Sequence, residues 1–334
     1  MPSFCAATKF FVLIHTAVRI ALRAFMYFSL FGLVQNSKLF TMVKSVWLHD
    51  RCSLLKIGNY YLRLIFVAIC MLRFSGFSVA QTWEPTSGAA NMAVGNPIAT
   101  TTGLWAASTN PAGMSSVNGF ASGMYFENRF AIKELATQTA VFVFGNTLGG
   151  FGLVLGNYGN PNYHEYLMQL GFGRWIVPER FSLGMKVGSF TVGFGDEYGK
   201  KTFFAAEFGA QCYPLKKLMV GLHISNLVSQ QLSDEPDSKI PSRVSFGVQY
   251  EFNKFLCGSL TADKVVSESF TNFKMGIAYD LRKSVAIRCG IASRPFSQSV
   301  GIGFFTKKWH YDVAFSRVDP LGYTPQISVS YGPK

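Results

Sequence analysis

The chain has 334 residues, 49% of them hydrophobic and only 15% charged, with 32 Phe, 14 Tyr and 32 Gly. Soluble domains carry about a quarter charged residues, so this balance points to an all-β protein with an apolar exterior. The net charge of +13 does not mark a nucleic-acid binder: nine Lys/Arg against Asp50 place +8 of it in residues 1–80, and the rest is scattered without a basic stripe.

Leu64–Leu72 (LIFVAICML) is an apolar run preceded by Lys56 and Arg63 and followed by Ser78-Val79-Ala80. That order of charged, apolar and small-residue segments is a secretory signal peptide, with cleavage expected after Ala80. Further upstream, Phe10–Val34 is apolar but carries Arg19 and Arg23, which are costly in the middle of a membrane helix. Translation is therefore expected to start nearer Met42 or later. The six cysteines show neither pairing nor metal-ligand spacing. Cys212 and Cys289 sit on apolar strand faces and read as small hydrophobes.

Residues 81–118 lack alternation and are dominated by Gly, Ala, Ser, Thr and Asn, with Met92, Leu104, Trp105 and Met114 scattered among them. Gly88, Ala89, Ala90, Ala93 and Gly95 can lie close against a wall. Asn110-Pro111-Ala112-Gly113 is a turn, since Pro fixes φ and Gly tolerates φ > 0.

From residue 120 the pattern changes. In Arg243–Phe252, residues Val244, Phe246, Val248, Tyr250 and Phe252 share one face of an extended strand, and Arg243, Ser245, Gly247, Gln249 and Glu251 share the other. The motif recurs, giving expected strands at 120–130, 136–145, 150–159, 164–176, 180–193, 201–214, 218–231, 242–253, 256–267, 269–281, 285–293, 297–307, 309–318 and 324–332. An even-numbered meander with about ten residues per strand is the signature of a transmembrane antiparallel β-barrel. Outward sets such as Met185/Val187 and Phe273/Met275/Ile277 oppose inward sets such as Ser182/Gly184/Lys186 and Lys274/Gly276/Ala278. Small inward residues leave room for a plug, a ligand or both. Turns alternate between short, often basic ones and a set containing longer ones. The longest, Ser229–Pro241, is expected to be extracellular.

The polar groups expected inside are Lys186, Glu207, His223, Arg243, Glu251, Lys274, Arg288 and Asp312. Ion pairing among them is one reading, because unpaired burial is costly. Contact of Arg243, Lys186, Lys274 or Arg288 with a carboxylate headgroup is the other. Neither GxSxG nor HExxH occurs, Gly195–Thr202 has the wrong spacing for a phosphate loop, and Ser225 beside His223 completes no constellation. No enzyme activity, cofactor or metal is expected.

The small-residue segment after a signal peptide, ending in Asn110-Pro111-Ala112-Gly113 just before the first strand, resembles the N-terminal hatch of FadL-type outer-membrane transporters. It resembles in particular the related PorV/PorQ-type proteins of Bacteroidetes, and Leu321–Pro325 with Ser328–Tyr331 add to that likeness. With the presequence read over 1–80, the resemblance, which covers about residues 85–334, implies a hatch over 81–118 and a barrel over 119–334. It places the protein in the outer membrane of a Gram-negative bacterium, with membrane lipid and the barrel assembly machinery as partners. Two roles follow from it: a partner or shuttle for secreted protein cargo in type IX secretion, or a channel for hydrophobic molecules such as long-chain fatty acids. Short loops tilt the expectation towards the first. The ending Tyr331-Gly332-Pro333-Lys334 departs from the terminal aromatic usual in such barrels.

Overall fold

A computed structural model describes residues 85–195, 199–226, 241–282 and 284–332. The expected signal peptide and its cleavage site, the start near Met42, and all but the last residue of Ser229–Pro241 lie outside them. Fourteen strands follow one another: β1 (Gly119–Asn128), β2 (Ala136–Asn146), β3 (Gly149–Asn160), β4 (Tyr163–Val177), β5 (Phe181–Phe194), β6 (Lys200–Leu215) and β7 (Leu218–Ser225), then β8 (Arg243–Glu251), β9 (Leu256–Val265), β10 (Asn272–Arg282), β11 (Val285–Ser293), β12 (Phe296–Phe305), β13 (Trp309–Val318) and β14 (Gly322–Tyr331). Each pairs antiparallel with its sequence neighbours, and β1 pairs with β14, closing the barrel. The expected strands are all present. β10 starts at Asn272 rather than 269, and β7 ends at Ser225 rather than 231. Two single 3-10 turns, Arg129–Ala131 and Lys133–Leu135, occupy the β1–β2 connection, where no helical structure was expected.

Closure leaves no unpaired sheet edge, as hydrocarbon requires. The only register shifts among the described pairings, at Trp175/Val177, Cys212/Leu215 and Asp280/Arg282, lie close to one rim. That rim also carries the start of β1 and the end of β14, and is called the terminal rim here. Its turns, such as 147–148 and 216–217, are short, whereas the opposite rim has the 129–135 and 226–242 connections.

The faces separate as alternation demands. Met185, Phe246, Met275, Ile277 and Phe315 are each at least half exposed on the outside, while Ser182, His223, Ser245 and Ala314 inside are fully buried. Lipid is the solvent that such an outer face matches. Ile277 stands near the middle of β10, so Ile277→Arg should cost about 2–4 kcal/mol of stability, the penalty for a cation near the bilayer midplane. Urea titration of the barrel folded into vesicles would read this. A midpoint unchanged from the parent would contradict a lipid-facing position.

Inside, residues 85–118 coil through the lumen as a helix, α1 (Gly88–Ala93), and three 3-10 segments, Ile98–Thr100, Leu104–Ala107 and Pro111–Ser116. An irregular chain buried in a barrel must find partners for its backbone groups, and the wall supplies many. Ser328 Oγ accepts from Ala89 N, Ser299 Oγ donates to Ala93 O, and Gln211 Nε2 donates to Ala99 O and Thr101 O.

Candidate functional site

The plug is seated on glycines. A Cβ added at Gly173 would fall 2.1 Å from Pro111 O, at Gly184 2.4 Å from Ala112 N, at Gly221 2.0 Å from Ala99 O, at Gly276 2.2 Å from Val94 O and at Gly290 2.4 Å from Gly95 N. These positions belong to β4, β5, β7, β10 and β11, so the backbone of the plug lies against bare wall around most of the circumference. The small inward residues evident in the sequence are thus the imprint of the plug.

Asn110 pins this arrangement. Its carboxamide oxygen accepts from Ala112 N at 3.1 Å, capping the 3-10 segment that begins at Pro111. Its Nδ2 donates to Ala99 O at 2.6 Å within the plug and to Leu222 O at 3.1 Å on the wall. Pro111 fills the first helical position, where its missing N–H costs nothing. Ala112 and Gly113 are buried, and a Cβ on Gly113 would meet Thr101 O at 2.2 Å. The turn motif therefore acts as a joint between two plug segments and the β6–β7 wall.

Seven of the eight expected lumen polar groups are inside. Lys186 and Glu207 are direct cross-strand partners on β5 and β6, with Lys186 Nζ 3.1 Å from Glu207 Oε2. His223 Nε2 lies 2.8 Å from the same oxygen, and Gln169 Nε2 donates to Glu207 Oε1 at 2.7 Å. Lys186 Nζ also donates to the plug at Ala107 O, 3.3 Å away. Lys274 pairs with Asp263 at 2.7 Å, and Arg288 with Asp312 at 2.7 Å. Arg243 is buried beside this group at the far end of β8. Glu251 differs: it ends β8 at the terminal rim and is exposed, because the strand runs out of the lumen there. The geometry thus makes ion pairs of Lys186, Lys274 and Arg288. None of the three is left open towards a carboxylate headgroup.

One feature of the interior departs from expectation. The inner face is not only small and polar, since Tyr125, Val141, Val143, Val154, Leu167, Phe190, Val192 and Phe203 all point inward from β1–β6. They form one contiguous cluster with Trp105, Ala107 and Met114 of the plug, and Tyr163 packs against it. Charged groups stand on both sides of the lumen: Asp263, Lys274, Arg288 and Asp312 on β9–β13, and Glu127, Glu165, Lys186 and Glu207 on β1 and β4–β6. The apolar side chains of the lumen wall are thus concentrated on β1–β6, where they are interspersed with the latter four charged groups. The trace in the sequence is a loss of alternation, as in Ala140-Val141-Phe142-Val143-Phe144, where both faces of the strand are apolar.

The apolar tract begins at the far rim, where Tyr163 packs edge-on against Phe194 at 5.3 Å and Tyr158 at 6.4 Å, and its hydroxyl bonds to Glu165. It ends against Met114. On the lipid side of the same wall lies a groove of about 730 Å³, lined by Met124, Leu155, Tyr166, Met168 and Ile327, with Gln138 and Asn157 among its polar groups. The β2–β3 and β3–β4 ladders between groove and lumen run without a register break.

Three comparisons bear on this architecture. No protein-family model and no curated protein sequence matches the chain. Solved structures do. A FadL homologue of Pseudomonas aeruginosa superimposes with a TM-score of 0.58 at 14% identity, over 76% of this chain and 100% of that one. The toluene transporter TbuX of Ralstonia pickettii gives 0.55 at 11% identity, over 74% and 98%. The toluene transporter TodX of P. putida gives 0.54 at 13%, over 74% and 99%. At these identities the likeness is one of fold, and a plugged transmembrane barrel is the fold it supports. The finer PorV/PorQ likeness finds no counterpart among them.

Proposed function

We propose that this chain is an outer-membrane channel that takes hydrophobic small molecules from outside the cell through a plugged barrel. One observation carries the reading: a contiguous apolar cluster extends along the β1–β6 wall from Tyr163 at the far rim to Met114 of the plug. Placing the longer connections outside and the short turns in the periplasm puts the mouth of this tract at the cell surface. A solute sliding along it gains about 0.8 kcal/mol per methylene buried, and at the mouth it passes Glu165, whose carboxylate is held by the Tyr163 hydroxyl. FadL homologues and toluene transporters share the fold, which favours the same class of solute.

The way out is past the plug. The unbroken β2–β3 and β3–β4 ladders would have to part for a lateral exit, at the cost of several backbone hydrogen bonds in lipid. Displacing the plug instead breaks bonds inside the lumen, made with the wall at Thr86, Ala89, Ala93, Ala99, Thr101, Ala107 and Asn110, and opens no ladder to lipid. The alternative role, a partner for secreted protein cargo, would rest on the 226–242 connection, and no described contact favours it.

Purified protein in vesicles should admit palmitate faster than empty vesicles. Leu167→Glu, which sets a charge in the middle of the apolar tract, should lower that uptake at least tenfold (about 1.4 kcal/mol) while the heat-sensitive gel shift of a folded barrel is kept. Uptake by the parent no faster than in empty vesicles would end the proposal. Native mass spectrometry that retained a secretion protein and no lipid-like molecule would favour the cargo role.

A further inference from the structure

The terminal rim carries cations that the protein does not use. Arg180, Lys216, Lys217, Lys254 and Lys307 stand exposed in turns at this end, and Arg174 points outward from β4 just above them. None of the six makes an ion pair among the described residues. At the far rim Lys133, Lys200 and Lys201 are likewise exposed without an ion pair among the described residues, but other cations are held. There Arg129 is tied to Glu127 at 2.7 Å, Arg317 to Asp319 at 2.8 Å, and Lys264 donates to Glu268 O at 2.5 Å.

The free cations do not stand alone. Between them, Leu148, Val177, Leu215, Phe252, Phe255 and Trp309 are each 46–61% exposed. Exposed apolar and aromatic groups at strand ends lie at the boundary between acyl chains and headgroups. The neighbouring cations are thereby set at headgroup depth, around the β4–β5, β6–β7, β8–β9 and β12–β13 turns. The rim also carries exposed acidic residues, and Glu251 donates its N–H to Lys217 O at 2.9 Å. None of them forms an ion pair with these cations among the described residues. Glu251 and Asp280 follow the inward register of β8 and β10, and Glu179 alone shares a turn with the cations.

We propose that the terminal rim is a docking surface for anionic glycerophospholipid, whose phosphates sit between these cations while the acyl chains pack on the apolar residues beside them. An acidic protein would meet the charges but not the adjoining ring of lipid-facing side chains, which is why lipid is the occupant assigned. The proposal depends on insertion in a bilayer and is independent of the channel reading. Each basic residue near such a surface strengthens binding severalfold, and the attraction is screened by salt.

The full chain, purified in mild detergent and offered equal amounts of phosphatidylglycerol and phosphatidylethanolamine, should retain the anionic lipid in native mass spectra. The variant K216Q/K217Q/K254Q/K307Q should lose that preference by more than tenfold while the folded-barrel gel shift and palmitate uptake stay at parent levels. Equal retention of both lipids by the parent would overturn the proposal. So would an undiminished preference in the variant, or a preference that R129Q/R317Q at the far rim abolishes instead. Retention of an acidic periplasmic protein in place of lipid would overturn it as well. A variant that failed to fold would be replaced by titrating the parent with salt, where a lipid preference unchanged between 50 and 500 mM would count against it.

Discussion

A chain carrying both Gly184→Val and Gly221→Val should fold as a barrel and leak. At each position the added Cβ lands on plug backbone, 2.4 Å from Ala112 N and 2.0 Å from Ala99 O, and neither neighbour is a side chain that can rotate away. Overpacking of this kind costs about 1–3 kcal/mol per site. The two glycines press on different segments of the plug, so their effects should roughly add, to about 2–6 kcal/mol. The wall itself loses nothing, because valine suits an extended strand and neither glycine has a positive φ. All the strain therefore falls on the seated plug. At 1.4 kcal/mol per decade, the unseated population rises by about 30-fold or more. Conductance across a planar bilayer is the readout, with the Gly→Ala pair intermediate. A double valine variant that is folded and as electrically silent as the parent would show that the plug tolerates the intrusion, and the tight seating argued from the glycines would be wrong.

The same glycines show how far the sequence could be read. Strand number and faces follow from period-two alternation, which needs no knowledge of tertiary contacts. Gly184, Gly221 and Gly276 are visible that way as small inward residues. The plug residue that each one meets is not visible, because residues 85–118 have no period to set a register against the wall. Asn110 is legible as a turn and a cap, yet its bond to Leu222 O spans 112 positions, and nothing local encodes it.

Strand pairing explains a second gap. Lys186 and Glu207 are opposite one another only because the β5–β6 hairpin is registered Phe181 to Cys212. Sliding it by two residues would keep every face and separate the charges. Composition and alternation could therefore nominate both as inward without matching them. The apolar tract was harder still. In β2, inward Val141 and Val143 alternate with outward Ala140, Phe142 and Phe144. A run that is apolar on both faces reads equally well as a strand between two greasy layers, and only closure of the barrel tells which layer is the lumen.

Glu207→Ala should be the most destabilising single change in the wall. Lys186 is almost fully buried, with the Glu207 carboxylate as its ion-pair partner and a longer bond to the plug at Ala107 O. Removing the carboxylate leaves an ammonium in the lumen without its counter-charge, and also strips partners from His223 Nε2 and Gln169 Nε2. Breaking one side of a buried pair typically costs 3–5 kcal/mol. Lys186→Met should cost less, since Glu207 keeps His223 and Gln169. The double variant K186M/E207L tests the reason: replacing both charges by apolar groups of similar volume often restores stability or exceeds it. Unfolding in urea from vesicles gives all three values, and the cycle yields the coupling directly. The order expected is E207A least stable, with the double variant above it, because no charge is left unpaired, but below the parent, because His223 and Gln169 still lose their partner. Because Lys186 also holds Ala107, K186M should raise conductance even where stability is little changed. Should E207A unfold at the parent's urea concentration, Lys186 must already be neutral or hydrated in the lumen, and the pair could not serve as the catch between wall and plug.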